Sequence, residues 1–422
     1  MKSANLTADV VVVGGGTAGC AAAIAAAHRG HGVLLVEEGN ALGGTSTSGG
    51  VWEWFASQDG LGNIFDRLKM ELNRYGSLRG RHFNGEHLKL IWQFMAQEAG
   101  VQILLHASAI GAATESGRVT GISVASCSKV LEVAGKVFID CTGEGDLAAL
   151  AGAEFQQGDP ETGRTLHMTL TFTLCNTGAP VVPYLPEGLA PIEDQAKLPG
   201  LLAMAPLVDG RIYCNMTKIM GHDPTDPLDL SAAELQARRQ VAQVVHYLQR
   251  NGYPTFTLGS TGSHIGVREG RRIVGDYVLS EDDILGATPR DFADGVAVAT
   301  AQVDFHSLTK PGNDGWRQRV EPYAIPLRCL LVRGLSNMLV AGKCLSADQV
   351  AQSSLRMTPT CCATGHAAGT AAALTLEAGV ADLREVNIES LREQLRATAM
   401  ELDPARHEAF APCVTPDREQ AR

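Results

Sequence analysis

DVVVVGGGTAGCAAAIAAAHRGHGVLLVEE, residues 9 to 38, decides how the rest of the chain is read. The consecutive valines Val10 to Val13 suit a strand buried on both faces of a parallel sheet. Gly14, Gly16 and Gly19 follow at the G-x-G-x-x-G spacing, and Ala21 to Ala27, interrupted only by Ile24, reads as a helix. Gly30 and Gly32 close that helix, and Val33 to Val36 form a second apolar strand that ends at Glu37. In such a turn Gly14 allows the sharp strand-to-helix reversal, Gly16 lets a pyrophosphate approach the backbone, and Gly19 lets helix and strand pack closely. The N–H groups and partial positive charge of the helix N-terminus suit a diphosphate. A carboxylate at Glu37 accepts hydrogen bonds from ribose hydroxyls and repels a 2′-phosphate, so FAD or NAD is expected rather than NADP.

The 422 residues suffice for two or three lobes, each with its own core. A formal net charge of −11 leaves no basic excess to neutralise phosphates, which argues against a nucleic-acid partner. No apolar run approaches the roughly 20 residues of a membrane span. The stretch MKSANLTADV holds no signal-peptide core, so a cytoplasmic protein is expected. Ten cysteines lie at 20, 127, 141, 175, 214, 329, 344, 361, 362 and 413, with no C-x-x-C pair. They read as reduced thiols, mostly small core residues, and no metal site is expected. A strained disulfide between Cys361 and Cys362 is the alternative.

Further along, residues 63 to 75 and 86 to 99 read as helices, and 101 to 126 as an antiparallel meander. KVFIDCTGEGDLAALAG repeats the strand, Gly-rich turn and small-residue helix of the opening unit. From 153 the character changes: LHMTLTFTL is strand-like, five prolines mark a loop over 179 to 200, and SAAELQARRQVAQVVHYLQRNG is an amphipathic helix. Ser231 and Glu234 read as its capping box and Gly252 as its stop. NMLVAGKCLSADQV and RMTPTCCATGHAAGTAAALTLEAG return to the first style. The expected class is therefore α/β with an α+β insertion. A Rossmann-like domain comprises 1–152 and 321–400, a substrate or cap domain 153–320, and a peripheral tail 401–422.

These motifs, with LGG at 42 to 44, VREGRRIVGDYVL at 267 to 279 and VDFH at 303 to 306, give the chain a family likeness. It resembles the FAD-dependent oxidoreductases with a glutathione-reductase-like FAD domain, related in plan to fumarate reductase flavoproteins. The resemblance implies extended FAD, its pyrophosphate on Gly14, Gly16, Thr17, Ala18 and Gly19 and its adenosine ribose on Glu37. It also implies that Gly43, Gly44 and Thr45 follow the diphosphate and ribityl chain, and that Ala109 meets the adenine. Thr142, Gly143 and Asp146 would border the cofactor, with Gly342 by the ribityl phosphate. Met357, Thr358, Pro359, Thr360 and the helix start near Gly365 would face the flavin pyrimidine. Relatives with covalent FAD carry a histidine shortly after LGG, and TSTSGGVWEW supplies none, so noncovalent FAD is expected. Lys343 departs from the family, many of whose members place an acid there.

For substrate chemistry, His264, Arg268, Arg271 and Arg272 gather within nine residues of an acidic chain. Asp304 and His306 alternate on VDFH and share one face of a strand, a way to orient a general base. Arg268 or Arg271 is expected to fix a substrate anion, and His306 oriented by Asp304, or else His264, to move the proton. The structural alternative pairs Arg271 and Arg272 with Asp276, Glu281, Asp282 or Asp283. The expected function is hydride transfer between a small polar, anionic substrate and the flavin, with a separate electron donor or acceptor as partner. A flavin-dependent monooxygenase and an FAD-binding protein without turnover are the alternatives.

Overall fold

The computed structural model describes residues 5–286, 291–312 and 315–412; Cys413 lies outside them. Strand Asn5–Val13 runs between two parallel neighbours, with Val10–Val13 in register with Val33–Val36 on one side. On the other side it pairs with Lys129–Asp140, Val13 opposite Asp140. Gln102–Leu104 and Met338–Val340 extend the sheet at its two ends, giving the parallel order 102–104, 33–36, 5–13, 129–140, 338–340. Val10 to Val13 are buried, as a central strand covered on both faces requires.

Lys129–Asp140 is long enough to serve two partners along one edge. Its first residues pair antiparallel with Arg118–Ser126, which pairs with Ser108–Glu115, while its last residues pair with Met338–Val340. The meander expected over 101 to 126 is thus shifted. Gln102–Leu104 belongs to the parallel sheet, and a positive φ of 53° at His106 turns the chain out of it before the meander begins.

The two Gly/Ala-rich units, far apart in sequence, meet as packed helices, Thr17–Ala27 against Thr358–Ala378. Glycine sets the spacing: a Cβ on Gly365 would stand 2.0 Å from the Ala18 carbonyl oxygen, and one on Gly369 2.1 Å from that of Ala22. The nine described cysteines are free. Cys361 and Cys362 are adjacent on the second of these helices, where successive side chains diverge by about 100°.

A second apolar cluster holds Met168, Leu170, Phe172, Val241, Val244 and Ile265. It lies between helix Pro227–Arg250 and an antiparallel sheet in the order 204–206, 212–214, 172–176, 256–261. The helix starts before the expected capping box. Asp226 accepts from the Leu228 and Asp229 N–H groups at 2.9 Å each, Pro227 fills the first turn, and the Ser231 hydroxyl donates to the Pro227 carbonyl. Glu234 instead accepts from the Ile265 N–H. Ile273, Val296, Phe305 and Trp316 return to the first cluster. Among the described residues no helix is long and apolar enough to cross a membrane.

Candidate active site

A single cavity of about 1230 Å³ runs from the fingerprint turn to the sheet and helix of the second cluster. At its first end the walls are Gly14, Gly16, Thr17, Ala18, Glu37, Gly44, Thr45 and Ala109. Thr142, Gly143, Asp146, Gly342, Met357 and Thr358 complete that end. The remaining expected cofactor residues stand behind the wall. Gly19 has no room for a side chain, its Cβ falling 1.8 Å from the Gly14 carbonyl oxygen, and Gly43 donates its N–H to Gly15. Pro359 and Thr360 are buried in the first turn of their helix. Gly365 is a correction: the helix begins at Thr358, and Gly365 serves the contact with Ala18 rather than a cofactor.

This end fits FAD on three observations. A Cβ built on Gly16 would meet nothing within 4 Å, so its backbone faces open cavity. Helix Thr17–Ala27 has no side-chain cap, and neither has helix Thr358–Ala378, although both begin on the cavity wall. Two uncapped N-termini offer their N–H groups and partial positive charge to anionic atoms, one set suited to a diphosphate and the other to a flavin pyrimidine. Glu37 accepts from the Gly15 and Gly39 N–H groups at 2.6 Å each, which fixes its carboxylate while leaving lone pairs for hydroxyls. Burial raises its pKa against the pull of those two donors.

Asp140, unassigned from the sequence, organises the second glycine turn. It accepts from the Thr142 N–H at 2.9 Å, the Thr142 hydroxyl at 2.8 Å and the Ala148 N–H at 2.8 Å, and burial pushes its carboxyl up to about 6. Lys343, the departure from the family pattern, pairs with Glu144.

The other end of the cavity is made of charge. His264, Arg268, Arg271, Asp304 and His306 all line the cavity, so the structure does bring the sequence candidates together. Arg271, however, belongs to the nucleotide end: it pairs with Asp146 at 2.8 Å and lies over the Phe155 ring. Arg272 pairs with Glu269 in the interior and Arg271 with Asp146, not with the acids at 276 or 281 to 283 among the described residues. Asp276 holds Arg384, and Asp283 accepts from Tyr277. His264 is exposed on the wall beside Gly49.

Asp304 is the hub. Its carboxylate accepts from His306 Nε2, Arg317 Nε and Arg356 Nη2, each at 3.0 Å. Burial opposes its charge, yet His306 and the two guanidiniums hold its carboxyl well below the usual carboxylate range. His306 Nδ1 faces Arg317 Nη2 at 3.4 Å, which assigns the ring as neutral with its proton on Nε2. Burial lowers the pKa of that imidazole to about 4. The role of proton mover expected for His306 therefore does not fit: one nitrogen is spent on Asp304, and the other faces a cation.

Arg268 donates to the His167 carbonyl and the Thr169 hydroxyl, and among the described residues no carboxylate pairs with it. Burial lowers its pKa to about 10. Among the described residues Arg356 Nε is buried without a hydrogen-bond partner. His167 stands edge-on to His306, ring centroids 4.5 Å apart, and Glu53 pairs with Arg81 at 2.8 Å. Sequence reasoning missed His167, Glu53, Arg81, Lys218, Arg317 and Arg356, each isolated in its own segment. Only Arg356 carried a signal, immediately before the Met357 motif.

A family model described as FAD dependent oxidoreductase matches residues 9–395. The chain belongs to that family. It is thus an enzyme, an oxidoreductase with FAD as cofactor. Solved structures similar to it include a geranylgeranyl bacteriochlorophyll reductase-like protein from Thermoplasma acidophilum. The two are 12% identical, with a TM-score of 0.48, over 96% of this chain and 93% of that one. Another is the flavin-dependent brominase Bmp2, at 13% identity and TM-score 0.48, over 92% and 84% of the two chains. The aromatic hydroxylase CabE of angucycline biosynthesis matches at 14% and 0.46, over 93% and 68%. No curated protein matches this flavoprotein.

Proposed function

We propose that this FAD-dependent oxidoreductase transfers a hydride between a small anionic molecule and its flavin, with FAD lying as in glutathione-reductase-type domains. The carrying observation is the charge at the cap end. Arg268, Arg317, Arg356 and Lys218 line or border the cavity there, against Asp304 and a Glu53 that already holds Arg81. An anion entering this end meets guanidiniums whose hydration is already lost, where charge pairing is stronger than in water.

Bound FAD supplies a two-electron acceptor or donor at that junction. The chain's own residues do the rest. The N-termini at Thr17 and Thr358 offset negative charge on the cofactor, and Glu37 positions a ribose. Arg268 and Arg356 orient the substrate anion, while Asp304 keeps Arg356 and Arg317 in place. On this reading segments 1–152 and 321–400 hold the cofactor, and 153–320 brings most of the substrate contacts.

Purified protein should carry FAD that heat or acid releases, because no histidine follows LGG to anchor it. In an anaerobic panel, hydroxy or amino acids should bleach the flavin and neutral sugars should not. Bleaching by NAD(P)H alone would favour the monooxygenase alternative and sink the hydride-donor reading.

A further inference from the structure

His167 is unlike the other histidines of the cavity. The residue is only 5% exposed, lines the charged end of the cavity, and among the described residues leaves Nδ1 with no hydrogen-bond partner. A buried polar nitrogen without a partner is costly, and such a group on a cavity wall marks a place where a ligand completes the bonding.

The groups that face it come from four separate segments. Arg268 donates to the His167 backbone carbonyl, and His306 meets the ring edge-on with Asp304 behind it. Lys218 and Arg356 approach from two further segments, and the electrostatic neighbours of the ring are Arg268, His306, Lys218 and Arg356. Burial first, and then the cations Arg268, Lys218 and Arg356 with the His306 ring, hold the imidazole neutral far below its ordinary range. An anion placed among them offsets the cations and supplies an acceptor for an imidazolium N–H, and both effects favour the protonated ring.

We propose that binding of a small carboxylate at Arg268 and Arg356 is coupled to proton uptake on His167, so the bound anion arrives beside an imidazolium rather than a neutral ring. This rests on the reading that the substrate end takes an anion. The coupling is reciprocal. Anion affinity must fall as pH rises from the free-state pKa of His167 towards the pKa it has in the complex, by up to about tenfold per pH unit for one coupled proton, and level off above it. His306 cannot substitute, since its nitrogens already face Asp304 and Arg317.

The test is calorimetric titration of the FAD-loaded enzyme with oxalate, in buffers of differing ionisation enthalpy, across pH 6 to 8. The expected result is binding with uptake of a substantial fraction of one proton, abolished in His167→Gln and retained in His306→Gln. No oxalate binding at any pH would defeat the anion-site reading itself. Binding by the unaltered enzyme without proton uptake overturns the coupling alone and needs no variant. Uptake that persists in His167→Gln, or disappears only in His306→Gln, also overturns it.

Discussion

At the fingerprint end the main chain faces the cavity, through Gly16 and the uncapped N-termini at Thr17 and Thr358. Its two cations there are paired, Lys343 with Glu144 and Arg271 with Asp146. At the other end, ionised side chains from separate segments converge, with Arg317 and Arg356 both held on Asp304. The first end should therefore be sensitive to single added carbons and tolerant of charge changes. The second should show the reverse.

The largest effect expected is on stability, from Asp304→Asn. That change leaves Arg317 and Arg356 without the carboxylate that compensates them, and breaking a buried pair in this way costs about 3–5 kcal/mol. Denaturant unfolding of the FAD-loaded protein measures it, and a loss below about 1 kcal/mol would show that the hub is not holding the cations.

A pair of glycine variants sharpens the comparison from the other side. Gly14 has φ 93°, and a Cβ there would fall 2.4 Å from the Cys141 carbonyl carbon, so Gly14→Ala should cost about 1–3 kcal/mol. Gly16 has φ −64° and open space around its missing Cβ. As apoproteins, Gly16→Ala and the parent should agree within about 0.5 kcal/mol in stability, and yet Gly16→Ala should lose most of its flavin absorbance. Equal flavin content in Gly16→Ala and the parent would place the diphosphate elsewhere.

A smaller effect follows from Asp140. Its carboxyl is raised to about 6 in the folded chain, against about 3.9 when unfolded. Its stabilising contribution is present below about 4 and is lost as pH rises through about 6. The difference in Tm between parent and Asp140→Asn should shift against the parent as pH rises across this window. A constant difference would mean that the three donors around Asp140 cancel its burial.

These contrasts also explain what the sequence made legible. The fingerprint end is written in contiguous stretches, because two strands, one turn and one helix suffice to present Gly14, Gly16 and Glu37. Where that reading slipped, it was over what a glycine does. Gly365 lies within a helix and exists for close packing on Ala18, a use identical in composition to a helix start. Ser231 and Glu234 matched a capping box, but Asp226 and Pro227 offered a stronger start one turn earlier. The substrate end was half legible: VDFH declared its Asp–His pair, and Arg268 stood in a visible cluster. His167, Arg317 and Arg356 are single residues whose meeting depends on the tertiary path, so no local spacing announces them. Local spacing also could not tell that Arg271 would turn toward Asp146.

The central claim is that an anion-binding end, distinct from the FAD-binding end, selects the substrate. The most direct measurement is the anaerobic rate of flavin reduction by the best carboxylate donor, compared between the parent and Arg268→Ala at matched FAD content. The account predicts unchanged FAD retention and a rate lower by roughly 10²–10³, the usual effect of removing one preorganised charge donor. An unchanged rate in Arg268→Ala, or a parent reduced only by uncharged donors, would contradict it.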